Sequence, residues 1–179
     1  MIELRLVERV VPVTDDPRRT RRRRYRVADN FLAFWLGVIE PYKAEIERGL
    51  GRSILPVIQR SLDDFMGPRW EEAFREHLRR LAGAGELGPE IVALGPFWRD
   101  QPAVEIDAVA LAGRARTPVL AGEAKWARSV DAAKVRRSLE QKTSALGDRK
   151  ESLRFAVAAR EEVRSGDDVL SVTEREIFG

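Results

Sequence analysis

Two short segments carry the residues whose types and spacing could do chemistry, Glu105-Ile-Asp107 and Glu123-Ala-Lys125. Alternate side chains of a strand share a face, so Glu123 and Lys125 project on the same side. If the two segments are neighbouring strands joined by the turn between them, Asp107 and Glu123 converge. Two ionised carboxylates at one point are costly unless a cation lies between them. The spacing therefore predicts a divalent metal site, and a charged face of an exposed hairpin is the alternative.

The composition restricts which ion such a site could hold. The 179 residues include no cysteine and one histidine, His77, which excludes thiolate zinc sites, disulfides, cysteine nucleophiles and imidazole-rich metal centres. Oxygen ligands remain, and they favour magnesium, manganese or calcium over zinc. The 44% hydrophobic content supports a folded core. Because no apolar stretch is long enough to span a bilayer and no signal-peptide pattern is present, we expect a cytoplasmic protein without a membrane partner.

Seven arginines crowd into nine positions near the N-terminus, although the net charge is only +3. Guanidinium groups match phosphate oxygens and stay charged at all relevant pH values. The run therefore predicts a nucleic-acid-binding segment, with a solvated charged segment as the alternative. Its members are Arg18, Arg19, Arg21, Arg22, Arg23, Arg24 and Arg26.

The N-terminal third is predicted to form a hairpin followed by two helices. Residues 4–13 and 24–28 have the composition of strands on either side of the arginine run. Asp29 or Asn30 is a suitable N-cap for the first helix, whose aromatic and aliphatic residues recur at helical spacing. A second helix is predicted over residues 53–65, and Gly67-Pro68 is expected to end it.

A third helix is predicted to begin near Arg69 and to bury one apolar stripe. His77 lies inside the stripe and is interpreted as a packed, hydrogen-bonded core histidine. Successive residues turn by about 100° around a helix. Glu71 therefore falls beside the stripe and is expected to lean inward, whereas Glu72 falls opposite it and is expected to face water.

From residue 91 onward the pattern is that of a sheet. Strands are predicted over 91–98, 104–111 and 118–126, separated by turn-forming residues. A helix over 131–147 carries Lys142 on its apolar stripe; such a lysine usually extends to the surface, yet this one could also reach a site at the sheet edge. A continuous apolar run over 153–159 predicts a strand buried on both faces, and 169–172 an edge strand.

The predicted elements place an acid on the helix that begins near Arg69, Asp107 on the second strand of the sheet and Glu123-Ala-Lys125 on the third. Over roughly residues 67–159 this order of elements resembles the PD-(D/E)xK nuclease superfamily. Ile106 stands where the superfamily motif has its proline. The resemblance implies an α/β fold with a restriction endonuclease-like αβββαβ core, in which helices flank a mixed central sheet.

A closer resemblance covers more of the chain. Tyr25-Arg-Val-Ala-Asp-Asn-Phe31, Met66-Gly-Pro-Arg-Trp-Glu71 and Gly122-Glu-Ala-Lys-Trp126 resemble the C-terminal nuclease-like domain of archaeal-type AAA+ ATPases. It implies a basic hairpin over 1–28 corresponding to the wing of a winged helix, a helical segment over 29–66 packing on the core, and a nuclease-like core over 67–179. An ATPase would then be a partner, since this sequence has no GxxxxGK[ST] phosphate loop.

The chemistry that the resemblance implies is phosphodiester hydrolysis, on DNA rather than RNA. Mg²⁺ or Mn²⁺ would polarise the phosphoryl oxygen and acidify its bound water, and Lys125 would orient that water or stabilise the developing charge. The implied metal-binding groups are Asp107, Glu123, the carbonyl of Ala124 and Glu71, the last directly or through water. Gln141 and Lys142 would be helpers from the following helix.

Two alternatives stay open at the level of sequence. One is a DNA-binding or regulatory module of an ATPase that keeps the nuclease-like fold without turnover. The other is an interaction domain in which Glu123 and Lys125 form a surface ion pair worth at most about 1 kcal/mol. For the N-terminal hairpin, packing across another subunit in a homo-oligomer is a further alternative.

Overall fold

The computed structural model describes residues 6–88, 90–147, 153–166 and 168–179, so the first two residues of the predicted strand 4–13 lie outside the described chain. The chain forms two compact units. We call Met1–Val10 with Arg22–Arg69 the N-terminal unit, and Val11–Arg21 with Trp70–Gly179 the C-terminal unit. The hairpin strands and the segment 29–66 thus belong to the first unit, and the loop of the hairpin belongs to the second.

The N-terminal unit begins with the predicted hairpin, built from shorter strands than expected. β1 (Val7–Val10) and β2 (Arg24–Val27) pair in antiparallel fashion. The carboxylate of Asp29 accepts the Leu32 N–H at 2.7 Å and caps α1 (Asn30–Phe34), which confirms the predicted N-cap.

Irregular helical turns continue the N-terminal unit after α1. Gly49 interrupts this series before the next long helix. Its φ is +85°, a backbone conformation that glycine adopts without a Cβ penalty. The turns are a π-helical Trp35–Ile39, a 3-10 turn Glu40–Tyr42, the short α2 (Lys43–Glu45) and a π-helical Ile46–Leu50.

The helix α3 (Gly51–Gly83) is longer than predicted and contains Pro68 in its interior. The prediction that Gly67-Pro68 ends a helix is therefore wrong, as is the separate start near Arg69. A proline removes one N–H and crowds one carbonyl, which is a local cost. Beside this proline, Arg69 Nη1 donates to the Phe65 carbonyl at 3.1 Å. The boundary between the two units falls within this helix, after Arg69.

A five-stranded mixed sheet forms the centre of the C-terminal unit. Its strands, in spatial order, are β3 (Ile91–Asp100), β4 (Ala103–Ala112), β5 (Thr117–Ala124), β7 (Arg154–Ala158) and β9 (Leu170–Val172). β3, β4 and β5 are antiparallel neighbours, whereas β7 runs parallel to β5 and β9 parallel to β7. The predicted α/β class and mixed sheet are confirmed.

The remaining elements of this unit surround the sheet. These elements are β6 (Ser129–Asp131), α4 (Ala132–Thr143), a 3-10 turn Ser144–Leu146, β8 (Glu162–Arg164) and α5 (Glu174–Phe178). β6 and β8 form a separate parallel pair. Helix α4 follows β6 directly, in the position predicted for residues 131–147, and the Asp131 carboxylate caps it by accepting the Lys134 N–H.

Two apolar clusters lie on the two faces of the sheet. α3 contributes Trp70, Phe74 and Leu78 to one, and α4 contributes Leu139 to the other. The packing of α3 on β5 is close: a Cβ at Gly122 would lie 2.9 Å from the Phe74 ring, so only glycine fits there.

His77 is buried in the C-terminal unit, as predicted, with its Nδ1 3.4 Å from Arg80 Nη2. Burial lowers the pKa of His77, and the neighbouring Arg80 charge acts in the same direction. Over the part of the chain that the structure describes, none of the helices combines the length and the apolar character needed to cross a bilayer.

Candidate active site

The register of β4 and β5 brings the two predicted acids together. Ala108 lies opposite Gly122 and Val109 opposite Ala121, so Asp107 and Glu123 come directly after the last paired residues of the two strands. The two carboxylates are close enough for the charge of Glu123 to raise the pKa of Asp107. The Ala124 N–H donates to Asp107 Oδ2 at 2.8 Å and fixes that carboxylate against β5.

The environment of Asp107 disfavours its charge. Its pKa is raised to about 7, first because the group is buried and then because the Glu123 and Glu71 carboxylates lie nearby. The Ala124 N–H and the Lys125 ammonium act in the opposite direction but only partly offset these causes. Shifts of this kind are concentrated at functional sites, where like charges are brought together.

Two lysines hold the Glu123 carboxylate, whose side chain is 8% exposed. Lys125 Nζ donates to Oε1 at 2.6 Å, and Lys142 Nζ donates to Oε1 at 2.9 Å and to Oε2 at 2.7 Å. Burial alone would lower the pKa of Lys125, but the hydrogen bond and charge of Glu123 outweigh it and raise that pKa. Lys142 thus reaches the site, whereas Gln141 is exposed and its backbone carbonyl accepts the Ser144 hydroxyl.

The two adjacent acids of α3 differ less in exposure than predicted. Burial raises the pKa of Glu71, partly offset by Arg75, and its side chain is 34% exposed. Glu72 is 31% exposed and accepts hydrogen bonds from Arg75 and Arg79, both at 2.9–3.1 Å. The prediction that Glu72 faces water is therefore wrong, because arginines one and two turns later on the same helix draw its carboxylate inward.

Arg75 is the residue of this site that sequence reasoning missed. Its side chain is 6% exposed, and Nη1 donates to the Asp107 carbonyl at 2.8 Å while lying 3.7 Å from Glu71 Oε2. It therefore connects α3 to β4 at the position of the predicted acid. Its spacing is the sequence signal that could have revealed it. Arg75 lies three residues after Glu72 and four after Glu71, separations at which opposite charges pair on one helical face.

The oxygen donors of the site suit a hard cation held by few protein ligands. No three His, Cys, Asp or Glu side chains among the described residues are grouped closely enough to enclose a metal ion. Asp107 and Glu123 supply two neighbouring carboxylates, and Ala124 follows Glu123 and donates its N–H to Asp107. One or two carboxylates completed by waters and substrate phosphate are a common way of holding Mg²⁺. Glu71 would then act through water.

A groove of about 370 Å³ opens beside the site and makes it accessible from solvent. It runs from the end of β5 along β6 and the first turns of α4. Its walls are formed by Glu123, Lys125, Ser129, Val130, Asp131, Lys134, Val135 and Ser138.

The arginine run is divided between the two units. Arg18, Arg19 and Arg21 are exposed in the loop of the C-terminal unit, and the others belong to the N-terminal unit. Arg26, on β2, pairs with Glu8 at 2.9 Å, and Arg19 lies 3.7 Å from Asp16. Some of the predicted phosphate-binding charge is thus already paired within the chain.

A family model described as archaea bacterial proteins of unknown function matches residues 35–137. The chain belongs to this family, DUF234. The DUF234 match includes Glu71, Asp107, Glu123 and Lys125, and it ends before Lys142.

An uncharacterized protein of Methanocaldococcus jannaschii, MJECL04, is 28% identical over 149 residues, which are 82% of this chain and 33% of that protein. The DUF234 chain thus spans about a third of the length of this relative. No solved structure matches the chain. Neither the family description nor the name of the relative states an activity.

Proposed function

We propose that the chain is a metal-dependent phosphodiester hydrolase that acts on DNA, with a restriction endonuclease-like core. The observation that carries the proposal is the convergence of Asp107 and Glu123 where the pairing of β4 and β5 ends, with Glu71 within electrostatic reach and Lys125 bonded to Glu123. The order α3, β3, β4, β5, α4 and β7, with the short β6 between β5 and α4, agrees with the resemblance described above.

Each residue has a role in this proposal. Asp107 and Glu123 would hold Mg²⁺ or Mn²⁺ together with the Ala124 carbonyl, and Glu71 would hold a water of the ion. The bound ion would supply Lewis acidity toward the phosphoryl oxygen and toward a water. Lys125 is 49% exposed at the groove, where its ammonium can orient the attacking water and stabilise the charge that develops on the phosphorane. Arg75 keeps Asp107 and Glu71 in place.

A cleavage assay on plasmid and single-stranded DNA, with Mg²⁺, Mn²⁺ or EDTA, tests the proposal. Asp107→Ala and Lys125→Ala should abolish metal-dependent cleavage while leaving DNA binding nearly intact, since losing one group of a charge-stabilising site typically costs about 10²–10³ in rate. Arg137→Ala, which replaces an exposed arginine of α4 that does not line the groove, is the control and should retain turnover. Cleavage that survives in both Asp107→Ala and Lys125→Ala would come from a contaminant and would contradict the assignment.

A second candidate is a DNA-binding or regulatory module without turnover. One observation favours it: two ammonium groups already occupy both oxygens of Glu123. The two candidates are separated by the same assay, because the module predicts DNA binding that is unaffected by Asp107→Ala and no cleavage with either metal.

An ATPase partner is part of the proposal for the whole protein. The sequence resemblance motivates it, and the length of the M. jannaschii relative, about three times the matched segment, leaves room for further domains in that protein. Co-purification of an ATPase with the tagged chain, and stimulation of cleavage by ATP in its presence, would support this partner.

A further inference from the structure

We propose that Lys142 is a positioning residue that holds Glu123 and competes with the divalent cation for it. This inference rests on the proposed function, since it concerns the same carboxylate. It assigns to Lys142 a role different from that of Lys125, although both bind Glu123.

The hydrogen bonds of the Glu123 carboxylate limit how a cation can bind it. A carboxylate oxygen accepts at about two lone-pair sites. Oε1 of Glu123 already accepts from both Lys125 and Lys142, and Oε2 accepts from Lys142. One acceptor site on Oε2 remains, so a cation can use Glu123 through a single oxygen while Lys142 stays. Use of both oxygens requires one of the two lysines to give up its bond to Oε1.

The charges around Glu123 also oppose a cation. The groups that bond this carboxylate are two ammonium groups, from Lys125 and Lys142. A divalent ion beside Glu123 is therefore repelled by the Lys142 ammonium at a distance of a few ångströms, in surroundings where such repulsion is poorly screened.

The positions of the two lysines separate their roles. Lys125 is 49% exposed, bonds only to Oε1 and lines the groove that leads to solvent. Lys142 is 28% exposed, bridges both oxygens from α4 and does not line that groove. Lys125 can turn toward a substrate in the groove, and Lys142 remains behind as the counter-ion that orients Glu123.

Mn²⁺ titration by isothermal calorimetry on the full chain tests this role. Lys142→Met removes the competing ammonium and should tighten Mn²⁺ binding by about tenfold, the effect of one nearby unit charge at moderate screening. Lys142→Arg keeps the charge and should bind Mn²⁺ like the wild type. Arg137→Met removes a charge from an exposed position of the same helix that does not line the groove, and is the control for net charge; it should change the affinity less than twofold. Circular dichroism checks that each variant is folded.

The direction of the change decides the outcome, because damage to the fold would weaken Mn²⁺ binding and not tighten it. Unchanged or weaker binding by folded Lys142→Met overturns the competition, and metal-dependent cleavage by the wild type would then still support the proposed function. Absence of Mn²⁺ binding in the wild type, Lys142→Met and Lys142→Arg alike overturns both. Mn²⁺ binding by Lys142→Met, with none by the wild type or Lys142→Arg, would mean that the charge at position 142 excludes the cation completely.

Discussion

The two compact units bury their apolar residues very differently. In the described part of the N-terminal unit the buried hydrophobic residues are Ala33 and Val38, while Phe31 is 73% exposed and Tyr25 63%. The C-terminal unit instead buries aromatic and aliphatic side chains on both faces of its sheet, with Phe74 fully inaccessible.

This difference shows why the candidate site lies where it does. A catalytic arrangement must hold its groups within fractions of an ångström, and rigid packed elements do this best. Asp107 and Glu123 stand on neighbouring strands of the well-packed sheet, and Lys142 comes from a helix that packs on it. The N-terminal unit contributes exposed apolar and basic side chains, which suit a binding surface better than a site of chemistry.

The largest expected contrast comes from truncating one phenylalanine in each unit. Phe74→Ala should lower the free energy of unfolding by about 3–5 kcal/mol, because it leaves a cavity between α3 and the sheet. Phe31→Ala should change it by no more than about 0.5 kcal/mol, since that ring is largely in solvent. Urea denaturation of both variants measures the difference. Comparable losses in the two would show that the N-terminal unit has a core of its own.

The pH dependence of stability sharpens the comparison at the site. Asp107 has a pKa raised from 3.8 to about 7 in the folded chain, so the folded state binds a proton that the unfolded state has released between these values. Its contribution is complete below about pH 4 and is lost as the pH rises through 7. In EDTA, unfolding free energy should therefore fall across this range.

Two variants isolate this contribution. Asp107→Asn cannot ionise and should flatten the decline between pH 4 and 7. Glu47→Gln replaces an exposed acid of the N-terminal unit and should leave the profile as in the wild type. An equally steep decline in Asp107→Asn would assign the effect to another group.

The smallest expected effect concerns the arginine run. Replacing Arg18, Arg19 and Arg21 by glutamine should lower the slope of log K against log salt for DNA binding by about 0.9 for each phosphate that the variant no longer neutralises. Arg26→Gln, which removes an arginine already paired with Glu8, should change the slope less. Fluorescence anisotropy at several salt concentrations gives both slopes, and equal slopes in all variants would remove the run from the DNA-binding surface.

Local patterns were sufficient to predict the elements that build the site. Alternation along 104–111 and 118–126 predicted that Asp107 and Glu123 converge if the two strands pair, and the structure places them directly after the paired residues Ala108 and Gly122. The apolar stripe of the following helix left two positions open for Lys142, the surface and the sheet edge, and the structure shows the second, where Lys142 bonds Glu123. These predictions succeed because side-chain direction in a strand or helix follows directly from the period of the backbone.

The errors arose where distant or competing contacts decide the structure. Pro68 was expected to end a helix, yet α3 continues through it, and Trp70, Phe74 and Leu78 of the following turns pack in the core. Glu72 was expected to face water from its angular position on the helix. That position does not show the hydrogen bonds that Arg75 and Arg79 donate to its carboxylate. The bond from Arg75 to the Asp107 carbonyl spans 32 residues and is invisible to any local pattern.

One measurement tests the central claim most directly: anomalous diffraction from a crystal of the chain soaked in Mn²⁺. The account predicts a peak between the carboxylates of Asp107 and Glu123, about 2.1 Å from an oxygen of each. The same soak of Asp107→Asn should show a much weaker peak there. No peak in the wild type, with the two carboxylates turned apart and Glu123 still held by both lysines, would contradict a metal-dependent site.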